Sequence, residues 1–557
     1  MNIVQRLSAL GLNTPLAVKL EVLIRKWESC SGPEWTVKRL KALKVELINR
    51  VAGSPAVAPW IRRNIDGFPQ GPVSELFRIA EQSRRGAFLA INSLMVYSSF
   101  VAEKVTETQR KKFYQSMETT DKTGMTVTTS GKSSFRTALG DFRPWSNVSL
   151  SSETFQPGPD GKSYPETDLF ISLASAVRSR PTLRLTKKYP QLFNRVVPVV
   201  VMVDLGDENN TLGEKFPSSS VNLCVGKISY IQEPGFKLRA VANPNRVLQA
   251  VLEPLKEALS RVIRSLPNDF TFDQDSGVKR VMSWLQKGLT VHSIDLSDAT
   301  NLFPLPYQIS VLKQRIQVPE KEVSDYLSLV DLFSEIAVSP WFSKENGVVE
   351  VHTFTRGQPL GLGPSFFAFG ISHNLLLEDI CASISVPNDC YAILGDDVCI
   401  SNDNVARIYR ATMSDLGCKI AEEKSLVSKI AAEFAGKIIL DDKVIPQFKW
   451  RDISDANVVD FCRNVGPKSV MILSKRQKAM VAVLAKVPDF LGGLGWNPNG
   501  VSLAVRLEDP FVNHLLTRDL SVNLPYRRVD RALVRLVTDP RFLEISPSHI
   551  SVKQVFQ

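Results

Sequence analysis

Tyr391-Ala-Ile-Leu-Gly395-Asp396-Asp397-Val398-Cys-Ile400 decides the reading of this chain. Two short apolar, β-forming runs flank a Gly-Asp-Asp turn, which is the pattern of a hairpin. Gly395 supplies the left-handed backbone such a turn needs. The tip then carries two adjacent carboxylates out from between buried strands. By chance the tripeptide turns up in on the order of one chain in ten of comparable length, so its partners must carry the argument.

The partner lies upstream. Val291-His-Ser-Ile294-Asp295-Leu-Ser-Asp298-Ala-Thr300-Asn301 sets a lone carboxylate at the end of a short apolar strand. Read singly, Asp295 is a helix N-cap; read with the hairpin, it is a metal ligand. Magnesium takes hard oxygen ligands and needs few from protein, because phosphates and waters complete its octahedron. Two such ions about 3.5–4 Å apart activate an attacking hydroxyl and steady the leaving oxygen.

Between the two carboxylate segments runs Arg356-Gly357-Gln-Pro-Leu360-Gly361-Leu-Gly363-Pro-Ser365, followed by an apolar stretch through His373-Asn374. Its glycines either let backbone close on a phosphate or nucleotide at a helix N-terminus or simply connect into a core helix. The spacing is not that of an ATPase phosphate loop.

Farther upstream, Tyr230 to Arg246 alternates basic and apolar residues. On a strand Lys237 and Arg239 share one face, placed either to clamp a triphosphate or to meet solvent at an edge. Downstream, Asn404 to Leu416 reads as an amphipathic helix closed by Gly417. Next come Lys424-Ser425, then Glu433-Phe434-Ala-Gly436-Lys437. Lys424 is a candidate general acid for a leaving pyrophosphate.

The chain has 557 residues, 44% hydrophobic and 22% charged, enough for a large core and incompatible with disorder throughout. That length suits three or four domain-sized units, or one clasped body of subdomains. A net charge of +11 points to a polyanionic partner. The seven cysteines form no C-x-x-C pair and the five histidines lie far apart, which speaks against a zinc site and for reduced intracellular thiols. The longest apolar run, Val196 to Val203, contains a proline, so no bilayer-spanning helix is expected. The basic, acid-free N-terminus suits a mitochondrial transit segment or an ordinary helix.

Residues 1 to about 115 read as helical, with basic positions Lys38, Arg39, Lys41 and Lys44. Ser, Thr, Gly and Pro then mark loops over 116 to 165. A helical stretch near Asp168 to Ser179 leads into Arg180, Arg184, Lys187 and Lys188, and an apolar strand candidate follows from Val196. The irregular mixture of short strands and helices in the middle predicts an α+β fold. Beyond about residue 446 the pattern is helical and basic, with Lys475, Arg476, Lys478, Arg527, Arg528, Arg531 and Arg535.

Taken in order over roughly residues 230 to 440, these segments resemble the palm-and-fingers core of viral RNA-dependent RNA polymerases, in the motif order F, A, B, C, D and E. Ser293-Ile-Asp-Leu-Ser-Asp-Ala-Thr300 with Phe303-Pro304, Gly357-Gln-Pro-Leu-Gly361, and Leu394-Gly-Asp-Asp397 with Glu433-Phe-Ala435 look like mitovirus and narnavirus polymerases. The resemblance implies a right hand. Its parts would be an N-terminal region and fingers (1–215), fingers with a nucleotide-entry segment (216–287), a palm of antiparallel strands backed by helices (288–445) and a helical thumb (446–557).

It also implies roles. Asp295 and Asp396 would bind two Mg²⁺ ions, with Mn²⁺ able to substitute and Asp397 a weaker ligand. Lys237 and Arg239 would meet the triphosphate, and Lys424 would protonate pyrophosphate. Ser365, Gly357 and Gly361 would place templating base and ribose, with Asn374 also in the nucleotide site. Arg246 and Lys437 would meet the RNA backbone. Asn301 stands where such sequences usually carry a second Asp to read the ribose hydroxyl, and Gly436 where a lysine is common. The partners expected are RNA template and product and ribonucleoside triphosphates, with no obligate protein partner. The compartment is the mitochondrion for a mitovirus-like replicon and the cytoplasm for a narnavirus-like one. Two rival readings stay open. A reverse transcriptase shares the palm, although Leu394-Gly395 precedes the aspartates and no second carboxylate set of RNase H type is evident. A catalytically dead RNA-binding relic is opposed by the intact aspartates.

Overall fold

The computed structural model describes residues 3–53, 61–131, 134–142, 179–196, 223–345, 348–450 and, with short gaps, 453–512. The strand candidate after Val196, the stretch Asp168 to Arg178, and Arg527, Arg528, Arg531 and Arg535 lie outside them.

Helices open the chain. Asn13 caps the helix Thr14–Val51 by accepting from the Leu16 N–H at 2.9 Å, and a proline fills its first turn. At Gly32 (φ 81, ψ 164) that helix breaks, with Pro33 starting the second half. The helices Val73–Gln82 and Arg84–Leu94 follow, then Glu107–Met117 with a full capping box at Thr106 and Gln109.

Two four-stranded sheets build the middle. In the first, the hairpin Gly226–Glu233/Lys237–Pro244 is extended by Trp341–Glu345, parallel to its first strand, and then by Val348–His352. The second is antiparallel throughout, in the order Leu426–Ser428, Val291–Ile294, Asp397–Ile400, Tyr391–Leu394. Helix Ser365–Ser383 lies behind it, buried over most of its length, which explains its apolar character all round. Helix Asp403–Asp415 packs beside it, capped by Asn402 and closed as expected by Gly417 (φ 67), with Cys418 N–H reaching back to Met413 O at 2.8 Å.

The meander Ala431–Phe434, Lys437–Leu440, Val444–Pro446 adjoins the second sheet. Ala435 and Gly436 form its first turn, both left-handed (φ 52 and 68), which gives Gly436 a backbone task that a lysine meets poorly. Helices Val458–Val465, Lys475–Ala485 and Leu503–Leu507 end the described chain.

One apolar core joins the opening helices, from Ile3 to Val96, to residues from Leu426 to Val512. Trp450 clamps the two: its indole N–H donates to Asn92 O at 3.0 Å, and its backbone N–H to Ser98 Oγ at 2.7 Å. The first and last described segments therefore share a core, and the opening helices are brought up against the middle of the molecule. No described helix is long and apolar enough to cross a membrane.

Candidate active site

Strand register brings the carboxylates together. Ile294 pairs with Val398, and Asp397 with Leu394, so Asp295, one residue past Ile294, falls beside Asp397. Gly395 takes φ 63 at the turn, as the hairpin requires. Asp396 stands in the turn and Asp397 starts the returning strand. Asp295 caps no helix. It lies between the strands Val291–Ile294 and Leu296–Ser297, accepting at its backbone oxygen from Ala421 N–H at 2.9 Å. Lys424 Nζ donates to Asp295 Oδ2 at 2.8 Å.

The group is electrostatically crowded. Asp396 touches solvent, yet protein surrounds its carboxylate on most sides. Burial raises its pKa and Asp295 adds to the rise, against its own backbone amide, Lys237 and Arg239. Asp397 is pushed up to about 7, first by burial and then by Asp396, Glu433 and Asp295. Glu433 is thus a further carboxylate at the edge, which the sequence motif had shown only as part of Glu-Phe-Ala. Gln447 Nε2 holds it at 2.8 Å. Among the described residues no three His, Cys, Asp or Glu side chains form a closed metal cage. Hard oxygens that repel one another, without a full cage, fit Mg²⁺ shared with phosphates better than a structural metal.

Behind the turn sits a residue the sequence reading quoted but gave no task. His373 is fully buried on the helix Ser365–Ser383. Its Nδ1 lies 2.9 Å from Gly395 O and its Nε2 2.8 Å from Tyr409 Oη. A carbonyl can only accept, so Nδ1 carries the proton and Nε2 accepts from the tyrosine. Burial lowers the imidazole to about 4, against the pull of the Gly395 carbonyl, so the ring is neutral. The helix therefore grips the Gly-Asp-Asp turn by its backbone.

The glycine-rich loop docks on the Asp295 segment. A Cβ on Gly357 would meet Thr300 O at 2.1 Å, and Gln358 N–H donates to that same oxygen at 2.9 Å. Arg356, buried, donates to Leu302 O, Asp121 O, Thr123 O and Leu416 O, tying three segments behind the site. Gly361 (φ 120) lets the loop pass Ala242, whose N–H donates to Leu360 O at 2.6 Å. Ser365 Oγ is buried without a hydrogen-bond partner among the described residues. Asn301 is 6% exposed and donates to Ser116 Oγ at 2.8 Å, so its amide is engaged by the helix Glu107–Met117. Asn374 donates to Asp269 Oδ2 at 2.8 Å.

Lys237 projects exposed from the second strand of the hairpin, and Arg239, two residues on, pairs with Glu233 at 3.1 Å. Lys437 pairs with Asp275 at 3.0 Å. Arg246 opens the helix Arg246–Val251, and its side chain lies outside the described residues.

An antiparallel sheet backed by helices, with aspartates on a central hairpin and beside it, is the palm of a right-handed template-directed polymerase. The Mitovirus RNA-dependent RNA polymerase family matches residues 172–519, more than half of the chain. The chain belongs to that family. Over 217 residues it is 28% identical to the RNA-directed RNA polymerase of Cryphonectria parasitica mitovirus 1, covering 38% of this chain and 25% of that protein. The chain thus spans about a quarter of the length of that relative. An uncharacterized mitochondrial protein of Arabidopsis thaliana is 29% identical over 193 residues, 33% of this chain and 90% of that protein. Among solved structures, an insertion-loop deletion mutant of a human picobirnavirus RNA-dependent RNA polymerase aligns with 82% of this chain and 91% of that one, at 12% identity and TM-score 0.43.

Proposed function

We propose that this protein adds ribonucleotides to the 3′ end of RNA on an RNA template, as a viral replicase of mitochondrial location. The supporting observation is the meeting of Asp295, Asp396 and Asp397 with Lys424 on one side and Lys237 and Arg239 on the other. Anionic and cationic groups so arranged suit phosphoryl transfer, where catalysis is mostly positioning and charge neutralisation.

Asp295 and Asp396 would hold two Mg²⁺ ions, which supply charge neutralisation at the reacting phosphate, with Asp397 behind them. Lys237 and Arg239 bind the triphosphate, and Arg239 exchanges Glu233 for it. Lys424 donates a proton to pyrophosphate. Burial opposes its charge, but Asp295, Glu423 and Asp298 outweigh that and raise its pKa, so it stays loaded at neutral pH. The loop Gly357–Gly361 and Ser365 shape the template and ribose side, with Asn301 and Asn374 behind it, and Arg246 and Lys437 approach the RNA backbone. In this reading residues 216–287 serve as fingers, 288–445 as palm and 446–557 as thumb, with 1–215 completing the fingers.

The test is incorporation of labelled ribonucleotides on an unstructured RNA template with Mg²⁺, wild type beside Asp396→Ala. Template-length product from wild type alone is expected, with loss of at least about a thousandfold in the variant. Incorporation of deoxyribonucleotides instead would mark a reverse transcriptase. No product from either protein, with RNA bound by both, would mark an inactive relic.

A further inference from the structure

The opening helices lie almost wholly upstream of the segment that carries the polymerase motifs, yet the second half of Thr14–Val51 reaches the site at two points. Lys41 Nζ donates to Gly235 O at 2.6 Å, at the tip of the hairpin that bears Lys237. Lys44 Nζ donates to Gln447 Oε1 at 2.7 Å, and Gln447 in turn holds Glu433 beside Asp397. The Lys41 ammonium is fixed: Tyr97 lies 5.2 Å from it, and a Cβ on Gly235 would come within 3.2 Å of Lys41 Cε.

An ammonium has three protons, and the carbonyl of Gly235 uses one. The Lys237 and Lys112 side chains make no ion pair or hydrogen bond among the described residues, although Lys237 is within electrostatic reach of Asp396 and Glu233. Burial first, then Lys237, Lys424, Lys44 and Lys112, lowers Lys41 to about 8. The charges that bear on it most are all cationic. Lysines from four separate stretches of chain bear on one another here, and only Lys424 is paired with a carboxylate, Asp295, so the outer ones favour an added anion.

We propose that Lys41, carried in on the opening helix, adds an outer cation at the rim of the carboxylate cluster to the polyphosphate path that the polymerase reading gives to Lys237 and Lys424. It rests on the polymerase reading for its purpose: the same chemistry serves an incoming triphosphate or a leaving pyrophosphate. The first test needs no turnover. Wild-type protein is acylated with a lysine-selective reagent, with and without magnesium pyrophosphate, and each site is followed by mass spectrometry. Lys41 acylation should slow about tenfold, the loss expected when a charge-assisted contact covers it. Lys38, exposed on the same helix and paired with Glu34, should not change. An unprotected Lys41, or one protected by an RNA oligomer and not by pyrophosphate, overturns the site. This outcome is independent of whether the protein polymerises.

The second test separates the sources. In Lys41→Met, a rise of about tenfold in nucleotide KM assigns the incoming triphosphate, and a like rise in the pyrophosphate inhibition constant assigns the leaving group. Lys41→Arg should restore whichever is lost. A fall in kcat alone, with both constants unchanged, makes Lys41 only a fastening for the hairpin and overturns the proposal.

Discussion

The acidic and basic halves of the site are built by opposite means. The Gly-Asp-Asp turn is gripped from behind by a buried, neutral His373 whose two ring nitrogens are both satisfied, one on Gly395 and one on Tyr409. His373 and Gly395 are both buried, although Asp396 at the tip meets solvent. The basic hairpin is held by partners at the surface: Arg239 on Glu233, Lys41 on a backbone carbonyl, and Lys237 with no side-chain ion pair or hydrogen bond among the described residues. In the proposed reading, carboxylates that would share metal ions need a rigid frame to stay together against their repulsion. Cations that would meet phosphates must change partners at every turnover, and half-exposed ion pairs contribute little and break readily.

The comparison breaks first at His373. Asn at that position keeps a donor near the Nδ1 place, whereas Gln or Leu does not. His373→Asn should retain activity within about tenfold, and His373→Leu should lose about a hundredfold in kcat, the scale of a misplacement near 1 Å. Single-turnover rates at saturating nucleotide measure this. Equal losses in Asn and Leu variants would show that packing alone sets the turn.

A smaller change is expected on the basic side. Arg239→Ala should raise nucleotide KM about tenfold and leave kcat within a factor of about two, while Glu233→Gln, which frees Arg239, should lower KM about twofold. Steady-state kinetics with one limiting nucleotide reads both. An unaltered KM in Arg239→Ala would remove it from the triphosphate path.

The smallest effect is thermodynamic. Folding moves Asp397 from 3.8 up to about 7, chiefly through burial, so the folded chain keeps a proton that the unfolded chain releases. Its contribution is fully present below about pH 4 and is lost as pH rises toward 7. Without metal, the melting temperature should fall by on the order of 5 °C across that window relative to Asp397→Asn, which lacks the titration. Added Mg²⁺ should flatten the slope. Parallel curves for wild type and variant in EDTA would show that Asp397 is not crowded in solution.

Much of the site was legible in the sequence, for local reasons. Two short apolar runs around Gly395 marked a hairpin, and Gly417 after an amphipathic stretch marked a helix end. A carboxylate just beyond a short strand falls at that strand's end, beside the turn of the hairpin it pairs with. Those are properties of a few consecutive residues, set by backbone sterics and the period of burial. The N-cap reading of Asp295 failed because the residues after it extend the strand direction before turning.

Other parts left no such trace. His373 lies in a helix buried on nearly every side, so its burial looks like that of its neighbours and does not disclose the Gly395 carbonyl it holds. Arg356 stood beside a glycine loop without indicating the four carbonyls it binds. Lys41 belonged to a basic helix face like many others until the core shared by the opening helices and residues Leu426 to Val512 carried it to Gly235. Sequence by itself determined which groups are present and which local element bears each. Only the tertiary structure decided their partners, because a hydrogen bond between residues remote in the chain depends on packing that no local pattern records.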